Sequence, residues 1–188
     1  MNTDELFEML KQLYAKQDQN LRESFDRSLP FQDGVFDRWE RAQRLRFGEG
    51  ASIYNSSLVY GDVRVGEQTW IGPNTILDGS GGGLSIGAYC SISSGVHIYT
   101  HDTVRWALSR GREDKRVAAV DIGDCVYIGP QSVIVAGVNI GNQCVVGANS
   151  FVNNEVEPGT VVVGTPARPI GRVFGDGKDV RIILDVKI

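Results

Sequence analysis

The segment VHIYTHD, residues 96–102, carries both histidines of the chain, His97 and His101, four residues apart. An imidazole can take or deliver a proton near neutral pH, and it is also the commonest metal ligand. Zinc sites of the usual kind need three or four His, Cys or carboxylate ligands at set spacings. The chain has no third histidine, and its three cysteines, Cys90, Cys125 and Cys144, follow no ligand spacing. Proton transfer is the chemistry these residues suggest, and no metal is expected.

The elements that hold the histidines repeat every six residues. Ile122, Ile128, Ile134, Ile140, Val146 and Val152 lie in one frame, and Gly123, Gly129, Gly141 and Gly147 follow four of them. The same frame runs earlier through Ile53, Val59, Val65, Ile71 and Leu77, jumps across DGSGGG (residues 78–83), and resumes at Ile86, Ile92 and Ile98. Small or β-branched residues, Cys90 and Cys144 among them, stand four places after the aliphatic ones. Six matches neither a helix nor a simple alternating strand. It matches a short strand and a corner, with the aliphatic side chain inside and glycine at the bend. Three such units make a coil, and stacked coils share one core. Both buried-position cysteines are core fillers on this pattern.

Between Ile98 and Ile122 the frame fails, because its next steps would bury Arg110 and Arg116. Residues 101–121 are therefore expected to leave the coils as a loop, and a loop this long in a compact domain is usually functional. His101 stands at its base. His97 lies in a regular coil beside an inward Ile98 and faces outward. Asn74, Asp78 and the glycine-rich insert fall in the coil before His97. No helix or lysine follows that insert, so it is not a phosphate-binding loop.

The repeats, the interrupting loop and the closing VVVGTPARPIGR (residues 161–172) resemble the hexapeptide-repeat acyltransferases. The resemblance covers residues 51–172 and implies an all-β solenoid, a left-handed parallel β-helix. Periodicity alone would give the right-handed sense usual for parallel crossovers. The family implies acetyl-CoA as co-substrate. In the galactoside- and maltose-type sugar O-acetyltransferases the general base opens the corresponding loop, which points to His101 in YTHD. Asp102 or Glu113 would orient the imidazole, Glu113 by its loop position. Backbone N–H groups at a glycine-lined corner would stabilise the oxyanion. Tyr127, Gly129, Pro130, Gly147, Ala148 and Asn153 would line the pantetheine arm, and Arg168 and Arg172 would meet the coenzyme phosphates. Several relatives have serine in place of Pro130, which removes one hydrogen bond. Asn74, Asp78 and His97 are expected to bind the acceptor, a sugar or nucleotide-linked sugar. The family also implies a homotrimer with sites between subunits, to which the apolar Val104, Trp106 and Leu108 would contribute. The γ-class carbonic anhydrases of this fold hold zinc with three histidines, a set this chain cannot supply.

The flanks differ in character. Residues 1–50 read as a helical segment, with an Asn2/Glu5 capping box and an apolar face of Leu6, Met9, Leu10 and Leu13. A second helix over 37–46 carries Arg38, Arg41, Arg44 and Arg46 on what reads as a solvated face. Residues 173–188 read as a turn and a strand, with Val180, Ile182, Leu184, Val186 and Ile188 on one side. A net charge of −4 gives no sign of a nucleic-acid or membrane-surface partner. No apolar run is long enough to span a membrane. The unpatterned thiols and the lack of a basic, apolar leader point to the cytoplasm. The competing readings are acyl transfer to an amino acid or antibiotic, and a non-catalytic scaffold. The scaffold would have uninterrupted coils.

Overall fold

The computed structural model of the protein describes residues 2–185. From Ser52 onward the chain visits three stacks of short parallel strands in turn. In the first stack Ser52 pairs with Trp70, Trp70 with Ser91, Ser91 with Tyr127, Tyr127 with Val145 and Val145 with Val161. The second stack runs through Val59, Leu77, Ile98, Ile134 and Val152. The third runs through Val65, Ile86, Ile122 and Ile140, and ends on a bridge to Val156.

Every aliphatic position of the six-residue frame is buried except Val59, which is half-buried. The small positions are buried too, and most of their polar groups are satisfied from coil to coil. Ser57 Oγ donates to the Gly72 carbonyl at 2.8 Å, Thr69 Oγ1 to Gly87 at 2.8 Å, and Ser132 Oγ to Gly147 at 2.9 Å. Cys90 and Cys144 do the same with their thiols, to Gly123 and Glu157, each at 3.1 Å. Burial raises the pKa of both thiols, so they remain protonated core groups.

The glycine-rich insert is part of one long strand, Ile76–Ile86, that crosses from the second stack to the third. It pairs with Leu58–Val65, and a register shift between Gly61 and Val63 absorbs the extra residues. The excursion after Ile98 is shorter than 101–121. His101–Asp102 pairs antiparallel with Arg116–Val117, and Val120 is already back in the core beside Leu84. Val120 stands two residues before Ile122, the small position of the repeat, which is buried in all three stacks.

Three helices precede the coils: α1 (Thr3–Phe25), α2 (Phe31–Val35) and α3 (Arg38–Arg44). The Asn2/Glu5 capping box forms, and α1 runs on to Phe25. It packs through Tyr14, whose hydroxyl donates to the Leu29 carbonyl at 2.8 Å and whose ring lies 5.7 Å from Phe31. The Leu6, Met9, Leu10 and Leu13 face is exposed. The solvated reading of the second helix fails for two arginines. Arg41 donates to the Tyr54 and Ser57 carbonyls of the first coil. Arg38 lies over the rings of Trp39 and Tyr54. Open carbonyls at the start of a solenoid require donors, and Arg41 supplies them. At the other end the chain reverses: Arg168–Phe174 pairs antiparallel with Thr160–Val163, and Arg181–Leu184 pairs with Arg168–Phe174. The expected tail strand thus lies one strand out from the last coil. Val186 and Ile188 lie outside the described residues.

Ile98 is fully buried between Leu77 and Ile134. Ile98→Ala is expected to cost about 2–5 kcal/mol, measured as a lowered urea midpoint at unchanged m-value. Ile182→Ala, at a half-exposed position, is expected to cost under about 0.5 kcal/mol.

Candidate functional site

Leu77 and Ile98 face inward, so their neighbours Asp78 and Tyr99 face outward, paired in register with Tyr60 on the strand before. Two residues beyond Tyr99 the chain turns into its excursion, and His101 folds back over this row. Its Nδ1 lies 2.9 Å from Asp78 Oδ2. The Asp78 side chain is only 4% exposed, so its charge must be met locally. Oδ1 accepts from the Ser80 backbone N–H at 2.9 Å and from Ser80 Oγ at 2.6 Å, while Oδ2 faces the imidazole. Ser80 Oγ also lies 3.4 Å from His101 Nδ1. A carboxylate only accepts, so Nδ1 carries the hydrogen and Nε2 is left as the accepting nitrogen.

The glycine-rich insert makes this contact possible. A Cβ at Gly81 would stand 2.7 Å from the His101 Cβ, so only glycine lets the strand pass this close under the histidine. Thr100 completes the clamp: its Oγ1 donates to the Asp78 carbonyl and accepts from the Gly81 N–H, both at 2.8 Å. Side chain and strand are fixed from both sides.

His101 opens onto a cleft of about 460 Å³ that it shares with Tyr99, Val104, Arg116, Phe151 and Asn153. Burial, with Asp78 and Tyr60 close by, holds the Tyr99 phenol above its ordinary pKa, so it stays a neutral donor at pH 7. His97 lies outside this cleft, its Nδ1 3.4 Å from Tyr99 Oη. Asn74 is an exposed corner residue with φ of 58°, and it does not join Asp78 at the histidine. Glu113 is remote from the imidazole in role: its carboxylate is exposed and lies 4.0 Å from Arg105. Asp102 accepts from the Val104 N–H. The carboxylate on the imidazole is thus Asp78, and neither expected candidate. A stacking register brings it there from 23 positions back, a relation that loop position could not reveal.

Asn153 also lines a second cleft, of about 370 Å³, with Glu155, Arg168, Arg172 and Asp185. Arg168 is exposed and donates to the Ala167 carbonyl, while Arg172 donates to the Pro158 carbonyl at 3.1 Å. Tyr127, Gly129, Pro130, Gly147 and Ala148 cluster elsewhere, around the corner between the first and second stacks. Asn153 and His101 lie at the corner between the second and third. Gly129 faces Ala148 so closely that a Cβ would stand 2.6 Å from its N, which is coil-stacking geometry. Among the described residues no group of three His, Cys, Asp or Glu side chains is placed to hold a metal. Among the described residues no helix is long and apolar enough to cross a membrane.

Residues 119–154 match the family described as bacterial transferase hexapeptide (six repeats). The carnitine operon protein CaiE of Escherichia coli K12 is 33% identical over 131 residues, 67% of each chain. The chain belongs to the hexapeptide-repeat transferases. Chloramphenicol acetyltransferase of Klebsiella aerogenes is 30% identical over 125 residues, 55% of this chain, and the chain spans only 58% of that relative's length. A hexapeptide-repeat acetyltransferase of Vibrio cholerae, solved with acetyl-CoA, superposes with a TM-score of 0.61 at 29% identity over 86% of each chain. Within this hexapeptide-repeat chain the glycine-rich strand Ile76–Ile86, the excursion after Ile98 and the Asp78–His101 pair depart from plain coil geometry.

Asp78→Asn tests the pair directly. The two Ser80 donors keep the amide oxygen on their side, so the amide nitrogen takes the place of Oδ2 and donates to Nδ1. The ring proton is then expected on Nε2, the inverted tautomer, read from the ¹⁵N shifts of His101. His97, without a carboxylate partner, is expected to keep its shifts.

Proposed function

We propose that the protein is an acetyltransferase, folded as a left-handed parallel β-helix, that moves acetyl from acetyl-CoA to a hydroxyl or amino group of a sugar or nucleotide-linked sugar. The observation that carries this reading is the Asp78–His101 pair, which holds the imidazole at the mouth of a cleft lined by Tyr99, Val104, Phe151 and Asn153. An acetyl thioester is already activated, whereas the acceptor is a poor nucleophile until its proton is removed. Nε2 of His101 takes that proton as the acceptor oxygen or nitrogen bonds to the acetyl carbon. The tetrahedral intermediate collapses by breaking the carbon–sulfur bond, and the departing thiolate recovers the proton from the imidazolium. Asp78 fixes the tautomer and stabilises the positive ring. The sugar acceptor rests on the likeness of YTHD and its loop to the galactoside- and maltose-type enzymes. The apolar lining by Tyr99, Val104 and Phe151 favours a second reading, an antibiotic-like acceptor. Free thiols at Cys90, Cys125 and Cys144 support a cytoplasmic setting.

The test is coenzyme A release with a panel of sugars, nucleotide-linked amino sugars and amphenicols. His101→Ala is expected to lower kcat by about 10²–10⁴ with the Kd for coenzyme A nearly unchanged. His97→Ala is expected to be mild. A reversed ranking moves the base to His97, and absence of both turnover and coenzyme binding leaves a scaffold.

The protein is further proposed to be a homotrimer with shared sites. Residues assigned to the coenzyme stand at two corners of the coil, on either side of the second stack, so one extended ligand reaches both only across a junction between chains. Val104, Trp106 and Leu108, at 58%, 54% and 82% exposure, offer the apolar surface for that junction. Arg168→Ala is expected to raise the KM for acetyl-CoA more than it alters kcat, because phosphate contacts bind ground and transition states alike. Refolding His101→Ala chains together with Arg168→Ala chains is expected to restore low-KM activity, since some junctions then draw both intact residues from different chains. A monomer by sedimentation, or no recovery despite proven mixing, defeats the shared site.

A further inference from the structure

The excursion after Ile98 carries a concentration of positive charge that the reaction proposed above does not use. Arg105, Arg112, Lys115 and Arg116 line a groove of about 640 Å³, with Glu113 and Asp114 as its only carboxylates. The whole chain is acidic, at −4, so this surface stands against the general balance. Its cations are poorly matched within the chain. Arg105 meets Glu113 only at 4.0 Å and Arg116 meets Asp102 only at 3.9 Å, both at the limit of an ion pair. Arg112 and Lys115 have no carboxylate within that range among the described residues. Gathering like charges on one short loop is unfavourable unless an anion offsets the repulsion.

The position of the groove says which anion. Arg116 lines both this groove and the cleft of His101. Its backbone is pinned beside the histidine by the Asp102–Arg116 pairing, and its Nη2 donates to the Ala136 carbonyl at 3.2 Å. Arg116, its side chain 57% exposed, thus borders both the groove and the cleft. On the opposite side of the cleft, beyond Asn153, lie Arg168 and Arg172. Glu155, Glu157 and Asp185 share the lining with those two arginines, so the net positive surface beside the imidazole is the loop groove, apart from the arginines assigned to the coenzyme.

We propose that the acceptor bears a phosphate or diphosphate group, and that the groove formed by Arg112, Lys115 and Arg116, with Arg105 at its rim, holds that group while the acceptor's nucleophile reaches His101. This inference rests on the acyl-transfer reading and narrows its acceptor to a phosphorylated sugar or a sugar linked to a nucleoside diphosphate. Guanidinium groups suit the role, because their planar donors meet phosphate oxygens two at a time. Exposed side chains become ordered only when the anion arrives, so the groove discriminates charged from neutral acceptors at binding.

The coenzyme also carries phosphates, and the experiment separates the two sources. Inorganic pyrophosphate is titrated into the intact protein by calorimetry at low salt, with and without saturating coenzyme A. The wild type is expected to bind pyrophosphate, with a Kd that coenzyme A shifts by less than twofold. R112A/K115A is expected to weaken pyrophosphate at least about tenfold, as loss of charge-assisted contacts predicts. Its Kd for coenzyme A is expected to stay within twofold. Both changes lie on an exposed loop, and an unaltered melting temperature shows that the fold is intact. R112K is expected to recover most of the binding of R112A. The proposal is overturned if the wild type binds no pyrophosphate, if the double variant binds it as well as the wild type, or if coenzyme A displaces it. The acyl-transfer reading fails separately, through retained turnover in His101→Ala, a variant expected to bind pyrophosphate normally.

Discussion

Leu77, Ile98 and Ile134 stack in register down the second face, and all three are fully withdrawn from water. That registered burial is the constraint on which the site depends. Side chains alternate across a strand, so fixing Leu77 and Ile98 inside fixes Asp78 and Tyr99 outside on adjacent coils. A slip of one residue would place Asp78 in the core and Leu77 in solvent, an exchange the hydrophobic term opposes strongly. The carboxylate and the aromatic ring next to the imidazole are therefore held by apolar packing behind them.

The corners supply the second part of the positioning. In ordinary coils a buried hydroxyl or thiol donates to the carbonyl of the next coil, as Ser57, Thr69, Ser132, Cys90 and Cys144 do. Thr100 is the variant of this device at the site. Its hydroxyl is buried like the others, but it donates to the Asp78 carbonyl and accepts from Gly81, one residue before His101 leaves the coil. The same kind of group that keeps coils in step elsewhere here locks the glycine-rich strand to the base of the excursion. Such a link spends no mobile surface side chain, so it loses little entropy on ordering.

How much of this was legible in the sequence follows from which interactions are local. The six-residue frame named the inward residues because each coil repeats the same demand, and Ile53 to Val152 obeyed it. The break named His101, because Arg110 and Arg116 could not be buried. Val120 lies outside the frame as read because the frame resumes at Ile122, although a buried small position precedes each aliphatic one by two residues. Asp78 was singled out for the acceptor, yet it lies on the histidine. Its partner is set by stacking between coils of unequal length, and the extra residues of DGSGGG hide that register. Arg41 of α3 looked solvated because a helix wheel does not show the open carbonyls at Tyr54 and Ser57. The division of the coenzyme candidates between two corners was present in the spacing all along. Pro130 and Ala148 precede a second-stack strand and Asn153 follows one.

A buried carboxylate, a register shift and several closely approached glycines are individually unfavourable to stability. They are concentrated in the strand from Ile76 to Ile86 and its two neighbours. In a solenoid each coil is stabilised mainly by the coils it touches, so a local loss does not propagate through one shared, centrally packed core. Above and below, the frame returns to fully apolar positions, Ile53 and Ile71 on one side and Ile128, Ile134 and Ile140 on the other. Those coils clamp the irregular one between rigid faces. The interruption can then hold Asp78 and His101 in a geometry that an isolated loop would not keep, and the loop beyond them stays free to vary in charge. On the proposed reading, chemistry at the base and recognition at the tip are separated along the same excursion, the first fixed by packing and the second set by exposed arginines.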